Sequence, residues 1–303
     1  MIRPRFNWDL GRRTLPLGER TVVMGVVNVT PDSFSDGGRF GEPAAAVDHG
    51  LRLLDEGAEI LDVGGESTRP GAAVIGSDAA RYARRPSVGA EEELRRVLPV
   101  LEGLRKSRPD AVLSVDTYKA EVARRVVEAG ADVVNDVSGF GWDSRMAETV
   151  AELRCGVVLM HTRGLPEQWR NLEPAEDIVG LVLSELRGSA AGGIKAGVAA
   201  ERIVLDPGFG FGKNFEENYP LLAHLDRLQL GFPLLSGPSR KSFLGRTAGR
   251  RTTGSDLPPD QRLNPTLAAV VASVLKGAHI VRVHDVRQAV EAVAVADAIL
   301  ASE

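Results

Sequence analysis

The stretch Arg202–Lys213, RIVLDPGFGFGK, decides the fold. Ile203, Val204 and Leu205 form an apolar run without polar alternation, the pattern of a parallel strand covered on both faces. The run ends at Asp206. Pro207 stops a helix from starting there, and Gly208, Gly210 and Gly212 permit backbone angles and a close ligand approach that a Cβ would forbid. A buried strand thus delivers a carboxylate to a glycine loop, although an Asp-Pro pair also opens ordinary turns. The glycines are spaced GxGxG rather than GxGxxG, and Lys213 is followed by Asn214 rather than Ser or Thr. Neither a dinucleotide fingerprint nor a Walker loop fits.

Outward from this stretch the same unit recurs: a short Val/Ile/Leu run, a polar residue at its end, a glycine-containing loop and then a helical pattern. The strand candidates are 21–27, 59–63, 111–115, 132–134, 156–160, 202–205, 232–235 and 279–283. Between the second and third, Leu94, Val97, Leu98, Leu101 and Leu104 recur at helical spacing, with Pro99 expected to kink that helix or mark its first turn. Eight such units without a central linker predict an α/β fold, a single (β/α)₈ TIM barrel over residues 1–303, with 1–20 as an N-terminal extension.

Composition bounds the partners. Thirty-seven Lys plus Arg against 41 Asp plus Glu give a net charge of −4 with no basic block, which argues against nucleic acid and for a small-molecule enzyme. The single cysteine, Cys155, makes no intramolecular disulfide and reads as an inert apolar thiol of a reducing, cytoplasmic setting. The apolar run Leu267–Leu275 is too short to span a membrane, and the first ten residues lack a signal-peptide core. Arg3, Arg5, Arg12 and Arg13, interleaved with Asp9 and Glu19, read as solvated.

Barrel chemistry collects at the carboxyl ends of the strands, so the polar residues that close each run become candidates: Asn28, Asp62, Asp116, Asn135, His161, Asp206, Ser236 and His284. After the first strand, NVTPDSFSDGGRF carries Phe34 and Phe40 in a polar loop, where aromatics either cover a ligand or tuck onto the rim. The second strand ends in DVGGESTRPGA, with Thr68 and with Arg69 before Pro70. Asp116 and Asn135, on neighbouring strands, can read the donors and acceptors of a heterocycle edge. SGPSRKS after the seventh strand and RVHD at the end of the eighth predict an anion site of Arg240, Lys241, Arg282 and His284, where barrels often bind phosphate.

Taken together, NVTPDSFSDGG, GGESTRPGA, SVDT, DPGFGFGK, SRKS and RVHDV resemble, in this order, the dihydropteroate synthases, folate-pathway enzymes of the pterin-binding barrel family. The resemblance runs from about Met24 to the C-terminus. It implies condensation of a 6-hydroxymethyl-7,8-dihydropterin diphosphate with 4-aminobenzoate to give 7,8-dihydropteroate and diphosphate. By the same resemblance the pterin pocket falls on Asp116, Asn135, Asp206 and Lys241, walled by Met160 and Phe211. The diphosphate and Mg²⁺ site falls on Asn28, Arg69, Arg282 and His284, with Asn28 similar to the metal-contacting residue. The aminobenzoate site falls on Thr68, Pro70, Phe34, Lys241 and Ser242. A homodimer through the late helices is also implied.

The chain departs from the family pattern in the length of the Ile75–Val88 segment, at Gly237-Pro238, and at Thr162 and Arg163. Two other readings compete. A methyltetrahydrofolate-dependent methyltransferase shares the barrel but needs no diphosphate site, against which the SRKS and RVHD basic residues count. A non-catalytic pterin-binding paralogue should lose the loop residues Asn28, Phe34, Thr68 and Arg69, all of which are present.

Overall fold

The computed structural model describes residues 3–29, 42–68, 74 and 87–302. Ten strands lie within them: β1 (Phe6–Asp9), β2 (Thr14–Leu17), β3 (Val22–Asn28), β4 (Ile60–Gly64), β5 (Val112–Asp116), β6 (Val133–Asp136), β7 (Gly156–Met160), β8 (Ile203–Asp206), β9 (Leu235–Ser236) and β10 (Ile280–Val283). The helices are α1 (Glu42–Asp55), α2 (Ala90–Ser107), α3 (Ala120–Glu128), α4 (Met146–Leu153), α5 (Ile178–Lys195), α6 (Asn218–Ala223), α7 (Ser242–Thr252), α8 (Leu263–Leu275) and α9 (Val286–Ala301).

Strands β3 to β10 form one parallel sheet in the order β8-β7-β6-β5-β4-β3-β10-β9. A parallel bridge between Leu205 and Leu234, with Leu205 N–H donating to Pro233 O at 3.0 Å, joins the two edges. The eight-stranded barrel expected from the sequence is thereby closed. The seventh strand shrinks to Leu235–Ser236. Pro233 has no N–H to give to a ladder and contributes only its carbonyl.

Each strand sends alternate residues to opposite faces. The outward set packs under the helices; Leu61, Val63, Val115, Val157 and Leu205 all belong to this main core. In α2, Leu94, Val97, Leu101 and Leu104 are buried as the periodicity requires, and acidic residues in its first turn and basic ones in its last suit the helix dipole. Pro99 lies inside α2, not in its first turn. It sits on the exposed side of the helix, where the hydrogen bond lost with its missing N–H faces away from the core.

The N-terminal extension has a specific place. The β1–β2 hairpin puts Trp8, Leu10 and Leu17 against inward residues at the start of the strands, among them Val22, Met24, Ile60, Val112, Val133 and Ile280. Trp8 is fully buried, and its Nε1–H donates to Arg202 O at 2.8 Å. The reading of the N-terminal arginines as solvated holds for Arg5 and Arg12, which are exposed, but not for Arg3. Arg3 is buried and donates to Thr21 Oγ1 at 2.7 Å, Ala278 O at 2.8 Å and Asp297 Oδ1 at 3.0 Å. Arg13 donates to Asp110 O at 2.6 Å, whereas Arg5 keeps an exposed side chain. Cys155 is buried, and burial pushes its thiol up to about 12, the inert state expected.

Candidate active site

Above the apolar layer the barrel interior turns polar, and Asp62 is its hub. This carboxylate is fully buried within β4. It accepts from Ser114 Oγ at 2.6 Å, Asn135 Nδ2 at 2.9 Å and Arg282 Nε at 2.6 Å. Arg282 also donates through Nη2 to Asp116 Oδ2 at 3.0 Å. The register explains the meeting: Asp62 lies beside Ser114 and Asp116 beside Asn135, so all four project inward from three adjacent strands. Asp62 stands among strand-end candidates in the sequence but not among the site residues. Its signal is a charged residue inside the buried run ILDVG.

Asp206 closes β8 and is held by Gly208 N–H, which donates to Oδ1 at 2.7 Å. Gly208 has φ +65°, and a Cβ there would lie 1.9 Å from His161 O, so no other residue permits this approach of the loop to β7. Lys213 ties the same loop from beneath. Its buried Nζ donates to Gly208 O at 2.7 Å and to His161 O and Phe211 O at 3.2 Å each. The loop presents Phe211, and the Lys241 Nζ lies 3.8 Å from the centre of its ring. Val74, Tyr118, Val137 and Met160 complete an apolar wall with Phe211 packed against it.

The electrostatics follow from burying four charged groups together. Burial raises Asp116 to about 7 against the pull of Arg282. Burial likewise raises Asp206 to about 6, opposed by the Gly208 N–H and then by Lys241. Lys241 is lowered to about 7, first by burial and then by Arg282. Near neutral pH these groups can therefore present either protonation state to a ligand edge.

His284 differs. Burial and then Arg282 push its imidazole down to about 3, so it is neutral. Its backbone N–H donates to Ser239 Oγ at 3.2 Å, while Nδ1 lies 2.9 Å from the same oxygen. The Ser239 hydroxyl can then donate to Nδ1, which leaves the imidazole proton on Nε2.

Asp116, Asn135, Asp206, Lys241, Arg282, Met160 and Phe211 are thus brought together. Thr68 is half-buried just past β4, and Asn28 is exposed at the end of β3. Ser242, the first residue of α7, borders a cleft of ≈ 370 Å³ with Trp169, Gly210, Phe215 and Asn218. Phe34, Arg69 and Pro70 lie outside the described residues, as does the segment from Ile75 apart from Ser87 and Val88.

Three candidates face elsewhere. His161 Nε2 lies 2.9 Å from Glu185 Oε2 on α5, and Ser236 Oγ lies 2.8 Å from Ser273 Oγ on α8. Arg240, expected in the anion site, is instead engaged by Asp285, with Nε–Oδ2 at 3.0 Å and Nη2–Oδ1 at 2.6 Å.

Comparison with known proteins agrees with this geometry. Residues 24–284 match the model of the pterin binding enzyme family. The dihydropteroate synthase of Bacillus subtilis (strain 168) is 42% identical over 283 residues, 93% of this chain and 90% of that protein. Among solved structures, dihydropteroate synthase from Xanthomonas albilineans with 4-aminobenzoic acid is 44% identical at a TM-score of 0.84, covering 99% of each chain. The X. albilineans enzyme in complex with 7,8-dihydropteroate is 42% identical at a TM-score of 0.81, covering 98% of this chain and 99% of that one. The chain is a barrel enzyme of the pterin-binding class. Within it, the chain belongs to the dihydropteroate synthase family.

Proposed function

We propose that the chain condenses (7,8-dihydropterin-6-yl)methyl diphosphate with 4-aminobenzoate in this pocket, giving 7,8-dihydropteroate and diphosphate. The observation that carries the reading is the convergence of Asp116, Asn135, Asp206 and Lys241 above an apolar wall. A flat heterocycle needs an edge of fixed donors and acceptors beside an apolar face, and this pocket offers both.

The difficult step is cleavage of the C–O bond at the pterin methylene. The bonding pair leaves with the diphosphate and a cation spreads into the ring. Asp116 and Asp206, when ionised, stabilise that cation; the amine nitrogen of 4-aminobenzoate then bonds the methylene carbon and sheds a proton. Arg282 stays charged throughout and meets the new charge of the leaving group, with neutral His284 donating through Nε2. No protein nucleophile is required, so Lys241 serves the ring by hydrogen bonding and charge. Thr68, Pro70, Phe34 and Ser242 hold the aminobenzoate, and Arg69 joins the diphosphate side.

Asn28 suits a Mg²⁺ ion: its amide oxygen is a hard donor at the strand mouth, and no described residue hydrogen bonds it. Among the described residues no three His, Cys, Asp or Glu side chains gather to cage an ion. Mg²⁺ usually takes one or two protein oxygens together with water and substrate phosphates, which this arrangement fits. When bound, the ion neutralises charge on the departing diphosphate. The exposed apolar side chains Leu275, Val295 and Ile299 on α8 and α9 support a homodimer through these helices. No helix among the described residues is long and apolar enough to cross a membrane.

The test is to mix purified protein with the pterin diphosphate, Mg²⁺ and 4-aminobenzoate and to follow dihydropteroate by chromatography. One diphosphate should appear per dihydropteroate. A folded protein that binds the pterin and forms no product overturns the reading.

A further inference from the structure

Arg240 is the residue the site leaves unexplained. Its φ is +57°, a left-handed conformation that disfavours side chains, and no glycine replaces it. Such a conformation persists only where its surroundings over-determine it, and here they do. The Arg240 N–H donates to Thr266 Oγ1 of α8 at 3.0 Å. Its carbonyl accepts from Arg262 Nη1 at 2.8 Å, just before α8. The guanidinium forks onto Asp285, the residue that precedes α9. Thr266 is 1% exposed and makes this bond from the first turns of α8.

The next residue is Lys241. Its N–H closes a turn back to Pro238 O at 3.2 Å, and it caps the start of α7, from which its side chain reaches over Phe211. The backbone angle of Arg240 therefore sets the direction in which Lys241 leaves the β9 loop. A relaxed φ would swing the Lys241 Cα–Cβ bond away from the glycine loop.

We propose that Arg240 is a positioning residue for the transfer reaction: a strained turn, clamped through Thr266, Arg262 and Asp285, aims Lys241 at the pterin. This rests on the reading that Lys241 contacts the pterin ring. It also reassigns Arg240. A diphosphate ligand would act only on substrates carrying the anion, whereas a positioning residue acts on any pterin.

The experiment measures binding of 6-hydroxymethylpterin, which carries no phosphate, by calorimetry, together with turnover. Thr266→Val keeps the shape and removes the hydroxyl. It should weaken pterin binding and lower kcat/KM by about 10- to 100-fold, the scale of a sub-ångström to 1 Å misplacement at a reacting group. Thr266→Ser, which keeps the hydroxyl, should restore both. Should Thr266→Val fail to fold, Arg240→Gly serves instead, because it removes the fork to Asp285 and widens the backbone freedom of the turn, which can then leave the angle that aims Lys241. It should weaken binding of the phosphate-free pterin by about tenfold. A folded Thr266→Val or Arg240→Gly protein with wild-type affinity for that pterin overturns the proposal. Lys241→Met is the separate control: if it leaves pterin binding intact, the reading of the site falls, whereas its loss beside an unaffected Arg240→Gly condemns the clamp alone.

Discussion

The two ends of the barrel interior are built on opposite principles. At the amino end, Trp8, Leu10 and Leu17 of the hairpin meet Val22, Ile60, Val112, Val133 and Ile280, and the layer is apolar throughout. At the carboxyl end the same strands offer buried Asp62, Ser114, Asn135 and Asp206 with half-buried Asp116 and Arg282, a layer that is polar and largely charged. Along β4 only Leu61 separates Ile60 from Asp62. The first end gains stability by removing apolar surface from water; the second carries desolvated charges whose compensation is incomplete, as the raised Asp116 and Asp206 show. Stability and chemistry are thus stacked along one axis.

The strongest way to break that contrast is to neutralise one charge at the carboxyl end. Asp206→Asn keeps an oxygen for the Gly208 N–H, so the loop should hold its shape. It removes the carboxylate beside the developing cation, and kcat should fall about 10²- to 10³-fold. Stability should move the other way. The folded-state value is about 6 against an ordinary 3.8, so this carboxyl favours folding below 3.8 and loses that advantage as pH rises through about 6. At pH 8 the variant, with no charge to bury, should melt at a higher temperature than the parent. In the parent, kcat/KM for the pterin should decline as pH drops through the 6 to 7 range, where Asp206 and Asp116 take up protons. A variant that melts lower at pH 8, or a parent whose acid limb lies near 4, would remove the idea that this end bears desolvated charge.

The opposite end should give the opposite pattern. Trp8→Ala empties the plug and removes the Nε1–H bond to Arg202 O. Large-to-small changes of a fully buried aromatic cost about 3–5 kcal/mol, which denaturant unfolding would show. At a temperature where the variant is folded, kcat and both KM values should stay within about twofold of the parent, since Trp8 belongs to the apolar cluster at the amino end of the strands. A selective loss of turnover without loss of stability would mean that the plug shapes the site.

Much of this was legible in the sequence because a parallel barrel writes its strands as unalternated apolar runs and its site at their ends. Asp206 and Asp116 sit where their runs stop, and each is in the pocket. What apolar runs do not reveal is parity. His161 and Ser236 also end their runs, but side chains alternate faces, and each lies one step out of phase with the interior. Asp62 is the converse: it lies inside its run, at the inward parity, and is the hub. Arg240 escaped for another reason, because a sequence shows a charge near an anion site but not its partner Asp285 or its positive φ.

Parity also supplies the finest test, within the carboxyl end alone. Ser236 is completely buried at the end of β9, and its Oγ lies 2.8 Å from Ser273 Oγ of α8. The Ser273 hydroxyl donates to Ala269 O at 2.8 Å, so the Ser236 hydroxyl must be the donor between the two. Ser236→Ala therefore strands no N–H or O–H. It leaves Ser273 with one unfilled lone pair, so the loss should stay near the usual worth of one hydrogen bond, about 0.5–1.5 kcal/mol. The side chain faces the helix and not the pocket, so kcat, both KM values and pterin affinity should match the parent. Ser236 is a neighbour in register of Val281, one residue from Arg282. If Ser236→Ala nonetheless lowers kcat by tenfold or more, position at the strand end outweighs the face on which a residue stands, and the division of the barrel by parity as well as by height fails.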